Sequence, residues 1–496
     1  MKASRFSAIL LFMVMLSDAA SQNSQIMYYM NLPQNHLLNP ALPQSNSFYL
    51  GLPGLTGINV NVNNNFLNFS DVFINRQSGD SVISFLRSDF DIDDFLKNIR
   101  ELNYLDPDAQ VQLFGLGFSA GENLYFFVDY NLRTDNNFTL PGDLFDIAFT
   151  EPVQLVGQQF DLSALKADVT GYQEFGFGVS RRFFNKLSVG VKGKLLMGVA
   201  SASLNTKNLL WSVNSDYTSS LDADLMLNIS GPVTIPIDVE HHPEDIIFDS
   251  TRFDNFRGTT RYLYGRSNIG AGIDLGVAYN VTRNLMISAA VTDLGYIKWK
   301  SDISTLEAES QFTYSGMNLL DVHDGTMTFD SLAKEFADSL MNSIIVNDTK
   351  IPFTTRLPWG FSFGASYNLT NFLSVGVLSY TRVVDSKLRE ALTLSANINL
   401  GNVLSFSAAY NTSNHSYNNF GAGFSVRAGV FQLYAIVDKI PVTWEKLTIK
   451  EGDDPPPYRT LSLPSNWNTI HASFGINLVF GKTSRKGMDK PMILVQ

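Results

Sequence analysis

The sequence predicts an all-β chain folded as an antiparallel membrane β-barrel of about 14 strands. Three observations carry that expectation. Long segments alternate apolar residues with small or polar ones. Tight turns centred on asparagine or glycine recur between them. Beyond the N-terminus there is no apolar run of the roughly 18 residues that a helical span needs.

The first element is a leader. Lys2 and Arg5 precede a short apolar run from Phe6 to Leu16, and Ser17, Ala19 and Ser21 follow. This is the order of a secretory signal, so residues 1–21 are expected to be removed near Gln22. The next stretch, HLLNPALPQSN at 36–46, is polar and broken by proline. Pro40 has no ladder hydrogen to donate, and it biases Asn39 away from helix. Asn39-Pro40-Ala41 therefore cannot begin a central strand.

Strands are expected from residue 47. In NIGAGIDLGVAYN, residues Ile269, Ala271, Ile273, Leu275, Val277 and Tyr279 share one face, and Gly270, Gly272, Asp274, Gly276 and Ala278 share the other. Leu357, Trp359, Phe361, Phe363, Ala365 and Tyr367 oppose Gly360, Ser362, Gly364 and Ser366 in the same way. The period is two, and the second face is small and polar rather than rich in Lys and Glu. Lipid outside and a crowded, wet interior fit that pattern. In hydrocarbon only a closed sheet satisfies every strand's backbone.

Six hairpins follow, at 111–131, 172–204, 269–294, 356–384, 390–412 and 417–440, with a strand within 47–62 and a last strand at 470–481. YNVTRNL, YNLTNFL and INLGNVL are the tight turns, where asparagine and glycine supply left-handed backbone. The other connections are mostly long: 63–110, 132–171, 205–261, 301–355 and 441–469. Outer-membrane barrels pair short periplasmic turns with long outer loops. Both termini are then expected in the periplasm. Short helices are expected in the loops at SDFDIDDFLKNIREL and DSLAKEFADSLMNS, and a stiff turn at EGDDPPPYRT. The barrel proper is expected over 47–481, with a periplasmic tail at 482–496.

Composition agrees. Charged residues are 17% of the 496, mean hydropathy is +0.00, and glycine and phenylalanine number 35 and 37. A net charge of -11 argues against nucleic acid as a partner. The chain has no cysteine, so thiol catalysis and cysteine metal sites are excluded.

Several motifs have plain structural readings. GFSAG (117–121) and GFSFG (360–364) match G-x-S-x-G, but the first runs into a hairpin turn and the second sits mid-strand. A nucleophile elbow needs strand, sharp turn and helix. Glu240, His241, His242, Glu244 and Asp245 lack a second ligand pair at metal spacing. Asp89, Asp91, Asp93 and Asp94 suit a helix N-terminus better than a calcium loop. The sequon at Asn280-Val281-Thr282 reads as turn chemistry. No metal, no cofactor and no enzymatic activity is expected. Glu174, Lys192, Lys194 and Asp274 fall on the faces opposite the apolar stripes, as lumen residues that shape a polar path or hold a plug by ion pairs. Phe474, Ile476, Leu478 and Phe480 form the apolar stripe of the last strand.

A barrel of this size preceded by Asn39-Pro40-Ala41 resembles the long-chain fatty-acid transporter (FadL) superfamily. VTDLGYIKW, with Asp293, Gly295 and Trp299 near a strand end, looks like barrels of the same group. The leader QIMYYMNLPQNHLLNPA resembles Bacteroidota versions, including the PorV and PorP type linked to type IX secretion. The resemblance implies that residues 22–46 form a hatch inside the lumen, with Asn39, Pro40 and Ala41 as its motif. It further implies a place in the bacterial outer membrane, in contact with lipid. Three functions remain open: passage of small hydrophobic or amphipathic solutes past the hatch, a scaffold for secretion or assembly proteins, and a surface adhesin.

Overall fold

The computed structural model describes residues 25–67, 74–75, 82–83, 95–150, 152–216, 218–238, 246–264, 267–314, 345–385, 387–401, 403–413, 416–440, 444–450, 458–464 and 469–481. The signal segment, the acidic run at 89–94, the 240–245 histidine motif, the 330–343 helix candidate, most of the 451–460 turn and the C-terminal tail lie outside these residues.

Fourteen antiparallel strands close on themselves. We number them β1 (Phe48–Gly51 and Gly57–Asn64), β2 (Leu102–Ala120), β3 (Leu124–Pro141), β4 (Lys166–Phe183) and β5 (Leu187–Val213). Then come β6 (Ile269–Asn280), β7 (Leu285–Trp299), β8 (Phe353–Arg356 and Trp359–Asn368), β9 (Leu373–Val384) and β10 (Lys387–Leu400). The ring ends with β11 (Leu404–Ser413), β12 (Ser416–Ala428), β13 (Phe431–Ile440) and β14 (Thr469–Phe480). β14 pairs with both halves of β1, which closes the ring.

The lipid face follows the alternation. Ile269, Ile273, Leu275, Val277 and Tyr279 are exposed while Asp274 and Ala278 are buried. Phe363 and Tyr367 are exposed and Ser362 is buried. Leu357 departs from its expected lipid face. It sits at the break between the two halves of β8, and it is buried with Tyr172, Leu196, Ile297 and Trp299. At the turn end, Phe48 meets Phe480 at 5.6 Å and Phe118 meets Phe126 at 5.5 Å, as an aromatic girdle does.

The tight turns fall where the repeats place them, but two of them rest on threonine rather than left-handed asparagine: none of Asn280, Asn284, Asn368 and Asn371 holds positive φ. Thr282 Oγ1 accepts hydrogen bonds from the backbone N–H of Asn284 and Leu285. Thr370 Oγ1 accepts from Phe372 and Leu373 in the corresponding turn. Gly121, Gly401 and Gly429 hold positive φ in three others.

The opposite end is more structured than the expected loops. β2 to β5 run well past the 111–131 and 172–204 limits read from sequence. β5 continues into a sheet with strands 219–230, 303–314 and 345–349. Helix α1 (Gly142–Phe149) and helix α2 (Phe256–Tyr264) lie in stretches read as loop. Propensity at 256–264 is poor, with Gly258 and two threonines, so tertiary contacts decide it.

β1 carries an insertion. Residues 52–56 leave the ladder, so that seven residues of β1 span three of β14. The insertion satisfies itself. Leu55 N–H and the Thr56 hydroxyl both donate to the Leu52 carbonyl, and Leu55 O accepts from Ile476 N–H. An irregular segment in the wall is tolerable only when its polar groups are paired in this way.

Candidate functional site

Residues 25–46 lie inside the ring. Two single-turn 3-10 helices, Ile26–Tyr29 and Pro33–Leu37, are buried. Ile26, Met27, Tyr28, Met30, Leu32 and Leu42 pack on Leu378, Ala409, Tyr434 and Ile436 of the wall. Eight strands already fill their own interior with side chains, and fourteen leave a void. Here that void holds chain.

Small inner-face residues make the fit possible. A Cβ on Gly190 of β5 would stand 2.2 Å from the Pro40 carbonyl carbon, and one on Gly276 of β6 would stand 2.1 Å from Asn39 Oδ1. Gly364 and Gly376 make similar room for Tyr28 and Tyr29. The Asn39 carboxamide accepts from Ala41 N–H at 2.9 Å and donates to the Ala289 carbonyl at 3.2 Å. Asn39 therefore braces its own turn and ties it to β7. Pro40 needs no donor in this position, and Ala41 is fully buried.

Reading outward along β5, Gly190 meets Pro40 and Ala41, Lys192 and Lys194 enter an ion layer, and Leu196 joins the Tyr172–Trp299 cluster. All four lumen candidates from sequence meet in that layer. Lys192 Nζ lies 2.8 Å from Glu174 and 3.2 Å from Asp129. Lys194 Nζ lies 2.7 Å from Asp274 and 2.6 Å from Asp293.

The strand-end residues fall in the same region. A register shift in the β6–β7 ladder and positive φ at Asp293 turn its carboxylate inward. Aspartate tolerates that backbone better than most residues. The Asp293 N–H donates to Asp274 Oδ1 at 2.7 Å. Gly295 passes so close to β6 that a Cβ there would stand 2.8 Å from the Ala271 carbonyl. Trp299 is fully buried and donates its indole N–H to Thr355 at 2.9 Å, in space left by Gly198.

Sequence reasoning missed the rest of the layer. Arg133 bridges Glu174 at 2.9 Å and Asp293 at 2.7 Å. Arg382 pairs with Asp108 at 2.6 Å and Asp135 at 3.3 Å, and Arg389 pairs with Asp106. Seven carboxylates thus face five lysines and arginines, all buried. A period-two signal was present: Asp106, Asp108, Gln110, Gln112 on β2, and Asp129, Asn131, Arg133, Asp135 on β3. Part of it lay in a stretch read as loop.

Two features of the layer matter functionally. First, it reaches the N-terminal segment: His36 Nε2 lies 2.8 Å from Asp129, while Nδ1 lies 2.6 Å from the Pro33 carbonyl. Both ring nitrogens face acceptors, so the ring ties the segment to itself and to the wall. Second, it crosses the lumen. β2 and β9 are seven places apart in a ring of fourteen, yet Arg382 reaches Asp108. Two side chains are far shorter than the width of a circular barrel of this size, so opposite walls are drawn together at this level.

Among the described residues, no three His, Asp or Glu side chains are arranged to hold a metal ion. Ser119 and Ser362 of the two G-x-S-x-G matches lie within β2 and β8, with no helix following.

A family model described as a family of unknown function (DUF5723) matches residues 40–438. No curated protein matches the chain. Among solved structures it is similar to the toluene transporter TbuX of Ralstonia pickettii, with TM-score 0.41 and 9% identity over 91% of this chain and 95% of that one. It is also similar to the toluene transporter TodX of Pseudomonas putida, with TM-score 0.40 and 9% identity over 94% and 95%. A FadL homologue of Pseudomonas aeruginosa gives 0.40 and 9% over 91% and 94%.

Proposed function

The chain belongs to the family of unknown function DUF5723, and we propose that it is an outer-membrane barrel passing small hydrophobic or amphipathic solutes, with residues 25–46 as a removable plug. One observation carries the reading. Among the described residues, the backbone-to-backbone hydrogen bonds of 25–46 run within the segment, as from Met30 to Met27 and Leu42 to Asn39. Its ties to the wall run through side chains: Gln34 to Thr56 and Asn477, Asn39 to Ala289, Gln432 to Asn31. Such a plug can leave without breaking a rung of the barrel.

The polarity of the vacated space supports the solute class. Leaving would uncover an apolar patch of Leu378, Tyr434 and Ile436 beside the polar side chains of Ser288, Thr393, Gln432 and Asn477, a mixed wall suited to a largely apolar guest with a polar group. The ion layer above it is the remaining barrier, and a solute moves past it only when the Arg382–Asp108 bridge yields.

The test is planar-bilayer recording and hydrophobic-dye uptake by intact cells. Deleting residues 22–44 is expected to raise conductance, and adding Arg382→Ala to raise it further and increase uptake. Unchanged conductance in both variants would overturn the reading. A second reading, a docking scaffold for secretion or assembly proteins, draws on the sheet of strands 219–230, 303–314 and 345–349 at the loop end. It expects raised conductance without any change in uptake.

A further inference from the structure

Helix α2 does not cover the lumen. It lies against the outer face of the wall, on β3, β4 and β5. Tyr264 and Tyr130 share a hydrogen bond at 2.7 Å between their hydroxyls. Gln173 donates to the Leu263 carbonyl at 3.3 Å, and Tyr262 donates to the Val199 carbonyl at 2.7 Å. Gln173 is 2% exposed, although Phe175, Phe177 and Val169 on the same face of β4 are exposed. The helix is what covers it.

The height of that position is informative. From Phe183 at the turn to Gln173 is ten residues of β4. At about 3.3 Å per residue and a tilt of roughly 40°, this is about 25 Å, the height of the apolar band of such barrels. α2 therefore sits at the border of the band on the long-loop side, where lipid headgroups begin.

Its free face suits a headgroup. Phe256, Arg257, Thr260, Arg261 and Tyr264 share one side of the helix. Phe256 is 88% exposed and Tyr264 is 56% exposed, and Arg257 and Arg261 are exposed as well. Arg252 is engaged by Asp249 and Asp302, each at 2.7 Å. Among the described residues, no carboxylate pairs with Arg257 or Arg261. In a chain of net charge -11, a stretch from Arg252 to Tyr264 with three arginines and the single acid Asp254 is a local reversal. Aromatic rings favour the membrane border, and arginines bind phosphate in a planar, bidentate way. An amphipathic helix of this kind lies in the interface plane.

We propose that α2 is a seat for the phosphate groups of the glycolipid of the outer leaflet, held by Arg257 and Arg261 with Phe256 and Tyr264 at the acyl boundary. The proposal rests on the reading above in one respect, that the long loops face outward.

The experiment is native mass spectrometry of the full chain in detergent with added lipid A. Wild type is expected to retain lipid A carrying both phosphates. Arg257→Gln with Arg261→Gln should retain about tenfold less or lower still, the scale of charge-assisted hydrogen bonds. Arg181→Gln with Arg182→Gln, at the opposite rim, should bind as wild type does. Heat-modifiable gel migration confirms that each variant is assembled. Equal retention by the α2 variant, or of dephosphorylated lipid A, overturns the proposal. So does equal displacement by phosphatidylglycerol vesicles or by inorganic phosphate, which marks a general anion site. The assay needs no conductance, so an unaltered hatch-deletion recording would sink the solute reading and leave this result standing.

Discussion

Gly190→Ala adds one methyl group where the barrel wall meets the N-terminal segment. The new Cβ would stand 2.2 Å from the Pro40 carbonyl carbon, 2.3 Å from its oxygen and 2.5 Å from Ala41 N. These are backbone atoms, and they cannot swing aside like the end of a lysine. The segment must retreat by more than 1 Å to restore an ordinary contact of about 3.5–4 Å. Overpacking of this kind costs about 1–3 kcal/mol. At 1.4 kcal/mol per decade, that multiplies the released population by roughly five to 150. Gly193→Ala is the matched control, because it lies on the same strand, faces lipid, and has nothing within 4 Å of its Cβ position. Single-channel recording of both variants reads open probability, with gel migration as the check on assembly. Gly190→Ala should open about five-fold or more above wild type, and Gly193→Ala should not. If the two behave alike, the segment does not bear on Gly190 in the membrane and the packing argument fails.

Phe363→Arg, on the lipid face, should destabilise the barrel by about 2–4 kcal/mol if the residue lies near the bilayer midplane; urea unfolding in lipid vesicles within error of wild type would show the register wrong by one. Arg382→Gln leaves Asp108 and Asp135 buried without their cross-lumen partner and should cost about 3–5 kcal/mol, whereas Arg382→Met with Asp108→Leu should cost much less; equal losses in the same unfolding assay would refute this. Hydrogen bonds from Thr251 and then Arg252 hold the Asp249 carboxyl below the usual carboxylate range. A depressed folded pKa stabilises the loop above the unfolded value, and that contribution disappears as pH falls through the folded one. The protection of the α2 amides, measured relative to their intrinsic exchange rate at each pH, should therefore fall in acid below the ordinary carboxylate range, and protection flat across that range would contradict the Asp249–Arg252 tie.

The sequence by itself determined the wall. Side chains of a strand alternate with period two, so Ile269 to Tyr279 against Gly270 to Ala278 reveals both faces without any partner in view. Turn chemistry is equally local: Thr282 and Thr370 act on N–H groups two and three residues away. Short turns alternating with long connections then settle how neighbouring strands pair, and fourteen strands follow.

What joins residues far apart in the chain needed the tertiary structure. Glu174, Lys192, Lys194 and Asp274 could be assigned to the lumen from parity, but their pairing depends on which strands become neighbours. Asp293 belonged to the lipid face by strict alternation, and a bulge turned it inward. Leu357 was displaced from that face by the break in β8. Arg382 meets Asp108 across 274 residues because the ring closes and its walls pinch, and no local pattern encodes a distance across a lumen. The helix at 256–264 is poor in intrinsic propensity, and the hydrogen bonds of its last turn to β3, β4 and β5, with Tyr262 buried, supply what propensity lacks. Local stereochemistry acts over a few residues and is legible in one dimension. Closure, pinching and the packing of a broken segment against Gly190 and Gly276 act through space.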